Sequence, residues 1–408
     1  MGKQFSKQTI RGVNLHGRTV LVRADYNVPL TKKGTISDDL RIRASLPTLK
    51  YLLEQNCKIV IMSHLGRPKG WDMKLSLEVV AKHLTELLGR KVQFVGDEVR
   101  QVVRRAPLGS VILLENLRFY PEEEADDLTF AKSIQRAVRA DYFVQDGFAV
   151  AHRAHASTHA IALCVPGVAG FLLEKEYTTI TKAMKNPRPP LVAIIGGAKV
   201  SDKIALIKRL INKADRILIG GAMANAFLQY RGCNIGKSVS ESGQEQVIKD
   251  IYDKAEKKVG IDHVDDFLVL PSDVAVASDP YSELPRREVS VDKIARDDMA
   301  LDIGSQTIEA FTKVLANAKT VIWNGPLGYT ETKIFSIGSA RVALAIAQNK
   351  DAVSIVGGGD TADFILKWDG HDGQSFTHVS TGGGASMELM AGKKLPGIES
   401  LLDVYGLR

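Results

Sequence analysis

Short β-branched runs alternate with helical stretches along the whole chain, and that alternation leaves few folds open. The runs lie at 20–23, 58–62, 92–95, 111–114 and 141–144, then again at 191–195, 216–219, 267–270, 320–323 and 352–356. Between several of them, apolar residues recur with a helical period, clearest at 39–54, 76–88, 202–210 and 361–367. Parallel strands cannot be joined by tight turns and need a crossover, which a helix supplies. The pattern predicts an α/β protein: two Rossmann-like lobes with parallel sheets, joined by a hinge.

A length of 408 residues accommodates two substantial cores. The boundary falls at 167–190, where a helical stretch at 171–185 runs into Asn186-Pro187-Arg188-Pro189-Pro190. Proline cannot continue a helix, so a stiff connector is expected there. The expected division is 1–170 for the first lobe, 171–190 for helix and hinge, and 191–394 for the second lobe. Residues 395–408 form a tail packing back on the first.

Ligands of parallel sheets sit beyond the carboxyl ends of the strands, and the polar clusters follow that rule. The two halves offer different anion chemistry. Residues 1–186 hold 14 of 23 arginines and 6 of 9 histidines, whereas residues 187–408 hold 23 of 35 glycines. Arginine forks grip phosphate and carboxylate, and glycine turns at helix starts let backbone amides surround a polyphosphate. One set per lobe suits a protein that brings two phosphorylated molecules together.

Bulk properties exclude several classes. The net charge of +7 comes from 54 basic and 47 acidic residues scattered along the chain, without the Lys/Arg runs of nucleic-acid binders. Cys57, Cys164 and Cys233 are far apart, so they form neither a disulfide framework nor a zinc site. No apolar run has the length of a membrane span, and no signal peptide is visible. The expectation is a cytoplasmic monomer acting on small anions.

In the first half, VRADYNVP (22–29), LRIRA (40–44), SHLGRP (63–68), ENLRF (115–119) and AHRAHAS (151–157) supply Arg41, Arg67, Arg118 and Arg153 with His64, His152 and His155. Each alone is more often an ion-pair partner or a satisfied structural group; only joint placement on one sheet edge raises the functional reading. The second half has IIGGAKVSDK (194–203), GGAMANAF (220–227), WNGPLG (323–328), GGGDTADF (357–364) and STGGGAS (380–386). Asp360 and Thr361 stand at a helix start suited to phosphate and magnesium, although an isolated Asp-Thr is more often an N-cap. Lys199 and Lys203 lie four apart and project from one helical turn, where a single lysine would more often be solvated. Residues 232–238 mimic a Walker A loop but are one residue short and follow a helix, and a dinucleotide fingerprint is absent.

With these motifs in place, the chain resembles the phosphoglycerate kinases from VRADYNVP to LPGI (395–398), in the family's order. The resemblance implies reversible phosphoryl transfer between 1,3-bisphosphoglycerate and ADP, giving 3-phosphoglycerate and ATP, with magnesium. It implies a phosphoglycerate site of Asp25, Asn27, Arg41, His64, Arg67, Arg118 and Arg153. Lys199 and Lys203 resemble the lysines that contact nucleotide phosphates, and Gly220, Gly221, Asn324 and Glu331 the adenosine site. Gly357, Gly358, Gly359, Asp360 and Thr361 resemble the phosphate and magnesium loop, with Asp360 as the metal ligand, and Gly382, Gly383 and Gly384 the helix start facing the transferred group. Arg41, Lys199, Gly358 and Gly382 are the expected catalytic set. Three departures stand out: Asp-Gly-Phe-Ala at 146–149 for the commoner Asp-Ala-Phe-Gly, Ser305 for proline, and Ala391 for glutamate. These lean toward an archaeal-type member.

Overall fold

A computed structural model describes residues 5–281 and 285–404. The chain divides into two compact units, residues 1–178 with 394–408, and residues 179–393, and the division falls inside the helix Phe171–Lys185.

The first unit is built on six strands: β1 (Thr19–Arg23), β2 (Lys58–Met62), β3 (Val92–Val95), β4 (Val111–Leu114), β5 (Tyr142–Gln145) and β6 (Gly167–Ala169). Their spatial order is β3-β4-β2-β1-β5-β6, and every pairing is parallel. β1 and β2 are buried in all but their first residue, which is why they read as continuous apolar runs rather than alternating ones. From β1 the chain first builds toward β2, β4 and β3, then reverses to β5 and β6. That reversal opens a crevice at the carboxyl ends of β1 and β5.

The second unit repeats the scheme with β7 (Leu191–Ile195), β8 (Arg216–Ile219), β9 (Leu268–Val269), β10 (Asp273–Ala277), β11 (Arg287–Ser290), β12 (Met299–Ile303), β13 (Thr320–Asn324), β14 (Val353–Gly357) and β15 (His378–Val379). Six of these form a parallel sheet in the order β15-β14-β13-β7-β8-β9, reversing between β7 and β13. The other three form an antiparallel sheet, β11-β10-β12.

Nine of the ten expected strands hold within a residue or two, and β6, β15 and the antiparallel sheet are additions. The run at 267–270 is split between a helical turn, Val264–Phe267, and the two-residue β9. The antiparallel sheet has no counterpart in the sequence reading, and β6 lies where a connector was expected to begin. The helix that continues from there ends at Lys185, ahead of the prolines. The C-terminal segment bonds to the first unit: Leu402 N–H donates to Gly167 O at 2.9 Å, and Lys7 Nζ donates to Glu399 O at 2.8 Å and Leu401 O at 3.0 Å.

At the end of β5, Asp146 fastens the start of the helix Phe171–Lys185. Its Oδ1 accepts the Leu172 N–H at 2.9 Å, while Oδ2 is buried without a partner among the described residues. Burial pushes this carboxyl up to about 7, opposed by hydrogen bonds from Thr48 and the amides of Leu172 and Leu173. Folded Asp146 therefore holds its proton to a higher pH than the unfolded chain does. Its stabilising contribution is complete below an ordinary aspartate pKa and is lost as pH rises through about 7. Each pKa unit of difference amounts to about 1.4 kcal/mol. Asp146→Asn should flatten the decline in stability between pH 4 and 8, measured by urea unfolding, and an unchanged slope would refute this assignment.

Candidate active site

In the first unit, backbone geometry places the charges before any ligand is considered. Ser63, just past β2, donates to Ala24 O at 2.9 Å and accepts the Tyr26 N–H at 2.8 Å, stapling the loops that follow β1 and β2. Asp25 is thereby fixed at the crevice, where Arg41, from the first turn of the helix Leu40–Glu54, forms an ion pair with it. Asn27 accepts the Gly66 N–H through its side-chain oxygen at 2.8 Å, and Arg118 donates to Gly66 O at 2.7 Å. Arg153 donates to His152 Nε2 at 3.3 Å.

His64 is buried among these cations. Desolvation and then the charges of Arg23, Arg118, Arg41 and Arg153 hold its pKa well below the ordinary value, so the ring is neutral. Arg23 Nη2 lies 3.1 Å from His64 Nδ1 and can only donate, which leaves the ring's single proton on Nε2. His64 thus offers a hydrogen-bond donor without adding charge. Asp25, Arg41, His64, Arg118 and Arg153 are brought together. Arg67 lies one residue beyond Gly66, exposed, with no hydrogen bond or ion pair among the described residues. His155 is buried, 3.9 Å from Glu123, and belongs to the layer behind the site.

The rest of that layer carries no sequence motif of its own. Arg23 is 1% exposed, and its Nε donates to Ser157 Oγ at 2.7 Å; Ser157 in turn donates to Glu123 at 2.5 Å. Arg23 stands in the quoted VRADYNVP motif, but an arginine on a strand gives no sign of facing inward until its partners are known.

In the second unit the loops after β7 and β13 meet backbone to backbone. A Cβ on Gly196 would lie 2.1 Å from Pro326 O, and one on Gly325 would lie 2.1 Å from Gly196 O. Only glycine permits this approach. Beside it lies a pocket lined by Lys199, Lys203, Asn324, Gly358, Gly359, Asp360, Thr361, Gly383 and Gly384. Two helices, Gly359–Asp369 and Gly384–Ala391, start at this pocket. Gly358, capping the first, has φ 92°, a region that disfavours side chains. Ser386 links the two starts by accepting the Gly358 N–H at 3.3 Å and donating to Gly383 O at 2.7 Å. The Thr361 hydroxyl accepts the Gly325 N–H at 2.7 Å and ties this loop to the glycine contact. Gly357 and Gly382 lie just behind the lining.

Lys203 donates to Asn324 Oδ1 at 2.8 Å. Burial lowers its pKa, while the charges of Asp202 and Asp360 act to raise it. Asn324 thus lines the same pocket as Lys203, whereas Glu331, with which the resemblance groups it, lines the neighbouring one. Glu331 and Gly221 line a second, largely apolar cavity of about 260 Å³, with Ala222, Pro326 and Leu327. Gly220 is set against Leu327. Gly197, Ala198, Pro326 and Asp360 belong to both openings, so the two are continuous. An apolar slot opening beside helix starts and lysines suits a nucleoside polyphosphate.

The family model for phosphoglycerate kinase matches residues 10–393. The chain belongs to the phosphoglycerate kinase family. Its relatives include the phosphoglycerate kinase of Dictyoglomus turgidum, 47% identical over 406 residues, covering 98% of this chain and 100% of that one. That of Pseudothermotoga lettingae is 46% identical over 407 residues, covering 98% and 99%. Among solved structures, phosphoglycerate kinase from Coxiella burnetii superposes with a TM-score of 0.84 at 36% identity, covering 97% of this chain and 98% of that one. The Pyrococcus horikoshii enzyme gives 0.81 at 32%, with the same coverage. Phosphoglycerate kinases transfer a phosphoryl group between 1,3-bisphosphoglycerate and ADP.

The neutral state of His64 can be read directly. Histidine ring resonances followed by NMR should show no titration of His64 near pH 6.5, and His155 should titrate at about 4, held down by burial and Arg23. A His64 midpoint near the ordinary histidine value would overturn the description of this site.

Proposed function

We propose that this chain moves the phosphoryl group between 1,3-bisphosphoglycerate and ADP by alignment and charge neutralisation, without a general base. The acceptor in the ATP-consuming direction is a carboxylate, ionised at neutral pH, so no proton has to be removed from it. The supporting observation is the second unit's pocket, where two helix starts, Lys199 and Lys203 converge beside an apolar slot. Amides at helix starts favour phosphate oxygens, and lysines add charge without fixing a direction.

Asp25, Asn27, Arg41, His64, Arg67, Arg118 and Arg153 hold the phosphoglycerate. Arg41 and Lys199, with the amides of the loops at Gly358 and Gly382, share the charge of the moving group. The two half-sites lie on different units, and lobe closure joins them and excludes water.

Magnesium fits the donor set only with a nucleotide present. Among the described residues no group of three acidic, histidine or cysteine side chains could hold a metal. Asp360 is exposed at the pocket and has no hydrogen bond or ion pair among the described residues. One carboxylate plus substrate phosphates is a usual magnesium environment. When bound, the ion would neutralise phosphate charge beside Asp360. We take the enzyme to be a cytoplasmic monomer acting on neither nucleic acid nor membranes; no helix among the described residues is long and apolar enough to span a bilayer.

Turnover with 3-phosphoglycerate and Mg-ATP, coupled through glyceraldehyde-3-phosphate dehydrogenase to NADH loss, tests the reading. Consumption should require every component, magnesium included. Arg41→Ala should lower kcat by about a hundredfold, or about 3 kcal/mol, by analogy with oxyanion-hole deletions. Nucleotide binding without turnover would indicate a regulator instead, and full activity in Arg41→Ala would remove that residue from the mechanism.

A further inference from the structure

One guanidinium ties together separated stretches of the second unit, behind the wall of the nucleoside cavity. Arg286 Nη1 donates to Asp302 Oδ2 at 2.7 Å and to Ile334 O at 2.9 Å. Its Nη2 donates to Ile303 O at 2.6 Å, and its Nε to Glu288 Oε1 at 3.0 Å. Asp302, buried near the end of β12, accepts the Gly338 N–H at 2.8 Å on Oδ2 and the Ile303 N–H at 2.9 Å on Oδ1.

The loop that follows β13 is seated on this carboxylate. A Cβ on Gly328 would lie 2.3 Å from Asp302 Oδ1, and one on Gly338 would lie 2.4 Å from it. Tyr329 N–H donates to Leu301 O at 2.7 Å, hanging the same loop from β12. The loop carries Pro326, Leu327, Tyr329 and Glu331, which line the cavity with Leu301 and Asp302. Glu288 also accepts the Ser305 N–H at 2.9 Å, and a proline at 305 would lack that donor.

We infer that Arg286 and Asp302 are a positioning pair for the nucleotide site, fixing the cavity wall without acting on the reacting atoms. The inference rests on the reading of that cavity as the nucleoside site. A planar guanidinium reaches four acceptors in one fixed arrangement, whereas a lysine ammonium in its place offers a point charge and three donors. Removing Arg286 leaves Asp302 buried without its counter-charge, and removing Asp302 leaves the guanidinium with Glu288 as its one remaining carboxylate. The wall then has reason to move, while the phosphoglycerate site, on the other unit, does not.

The test is steady-state turnover of the full chain with each substrate varied in turn, for Asp302→Asn, Arg286→Lys and the double variant. Each single change should raise the nucleotide KM roughly tenfold, with the 3-phosphoglycerate KM and the kcat at saturating nucleotide both within about threefold of the starting values. The double variant should resemble the singles, because the two residues act as one unit. A merely structural role would lower kcat through lost active enzyme and leave both KM values unchanged; that result, or a parallel rise in both, overturns the inference. Ser305→Pro keeps the test available if the others do not fold, since proline suits the first position of the helix Ser305–Ala316. It should raise the nucleotide KM roughly twofold, and no change counts against the pair. If the unmutated chain has no turnover, the parent reading fails, and calorimetric Mg-ADP titration of the same variants still decides whether the pair shapes this cavity.

Discussion

Everything in the second unit's site is arranged around one steric constraint, the contact between the loops at Gly196 and Gly325. No side chain fits between these backbones. Because β7 and β13 are neighbours at the point where the sheet reverses, both loops emerge at one place, and the contact fixes their separation. Gly197 N–H donates to Pro326 O at 2.8 Å and Gly221 N–H to Leu327 O at 3.0 Å, so the constraint extends to the helix Gly221–Tyr230. From that point the phosphate pocket opens on one side and the apolar cavity on the other. Rigid elements hold the polar groups, which is how a site becomes preorganised rather than assembled on demand.

The two units reach anion recognition by different physical routes. In the first, side chains do the work, and their charge has to be managed. Arg23 is buried, and burial lowers its pKa while Glu123 and Asp25 act to raise it. A charged His64 in the same place would add to this repulsion, so the ring stays neutral and contributes a hydrogen bond only. In the second unit glycine loops at two helix starts present backbone amides beside the lysines, and amide dipoles carry no net charge that needs a buried counter-ion. That difference accounts for the uneven distribution of arginine and glycine along the chain.

How legible each feature was depends on whether its signal is local. β1, β2, β7 and β13 are central strands of parallel sheets, and their apolar runs declare themselves. β6 and β15 have three and two residues, too short for any periodicity. β11 is Arg-Glu-Val-Ser with no buried residue, so its hydrophobic pattern is that of a loop. The site divides the same way. Motif residues such as Arg41, His64, Lys203 and Asp360 were visible because chemistry and strand-end placement coincide in sequence. Arg286 and Asp302 are 16 positions apart and carry no motif; only their 2.7 Å contact gives them meaning. The bond between Lys203 and Asn324, 121 positions apart, is of the same kind: neither motif announces the other.

The groups left without partners mark where each unit can meet a ligand without breaking a bond it already holds. Arg67, Lys199 and Asp360 are exposed with no hydrogen bond or ion pair among the described residues, whereas Arg41, Arg118, Lys203 and Asn324 are bonded. A free arginine or lysine attracts an anion, and a free carboxylate beside helix starts suits a cation that also meets phosphate. Lys203 gives the same argument from the other side. Its charge is disfavoured by burial and supported by Asp202 and Asp360, so phosphate oxygens arriving beside it would relieve a desolvation already incurred in folding. Burying such a group in advance makes it more responsive to charge that develops later, because little water remains to screen the interaction.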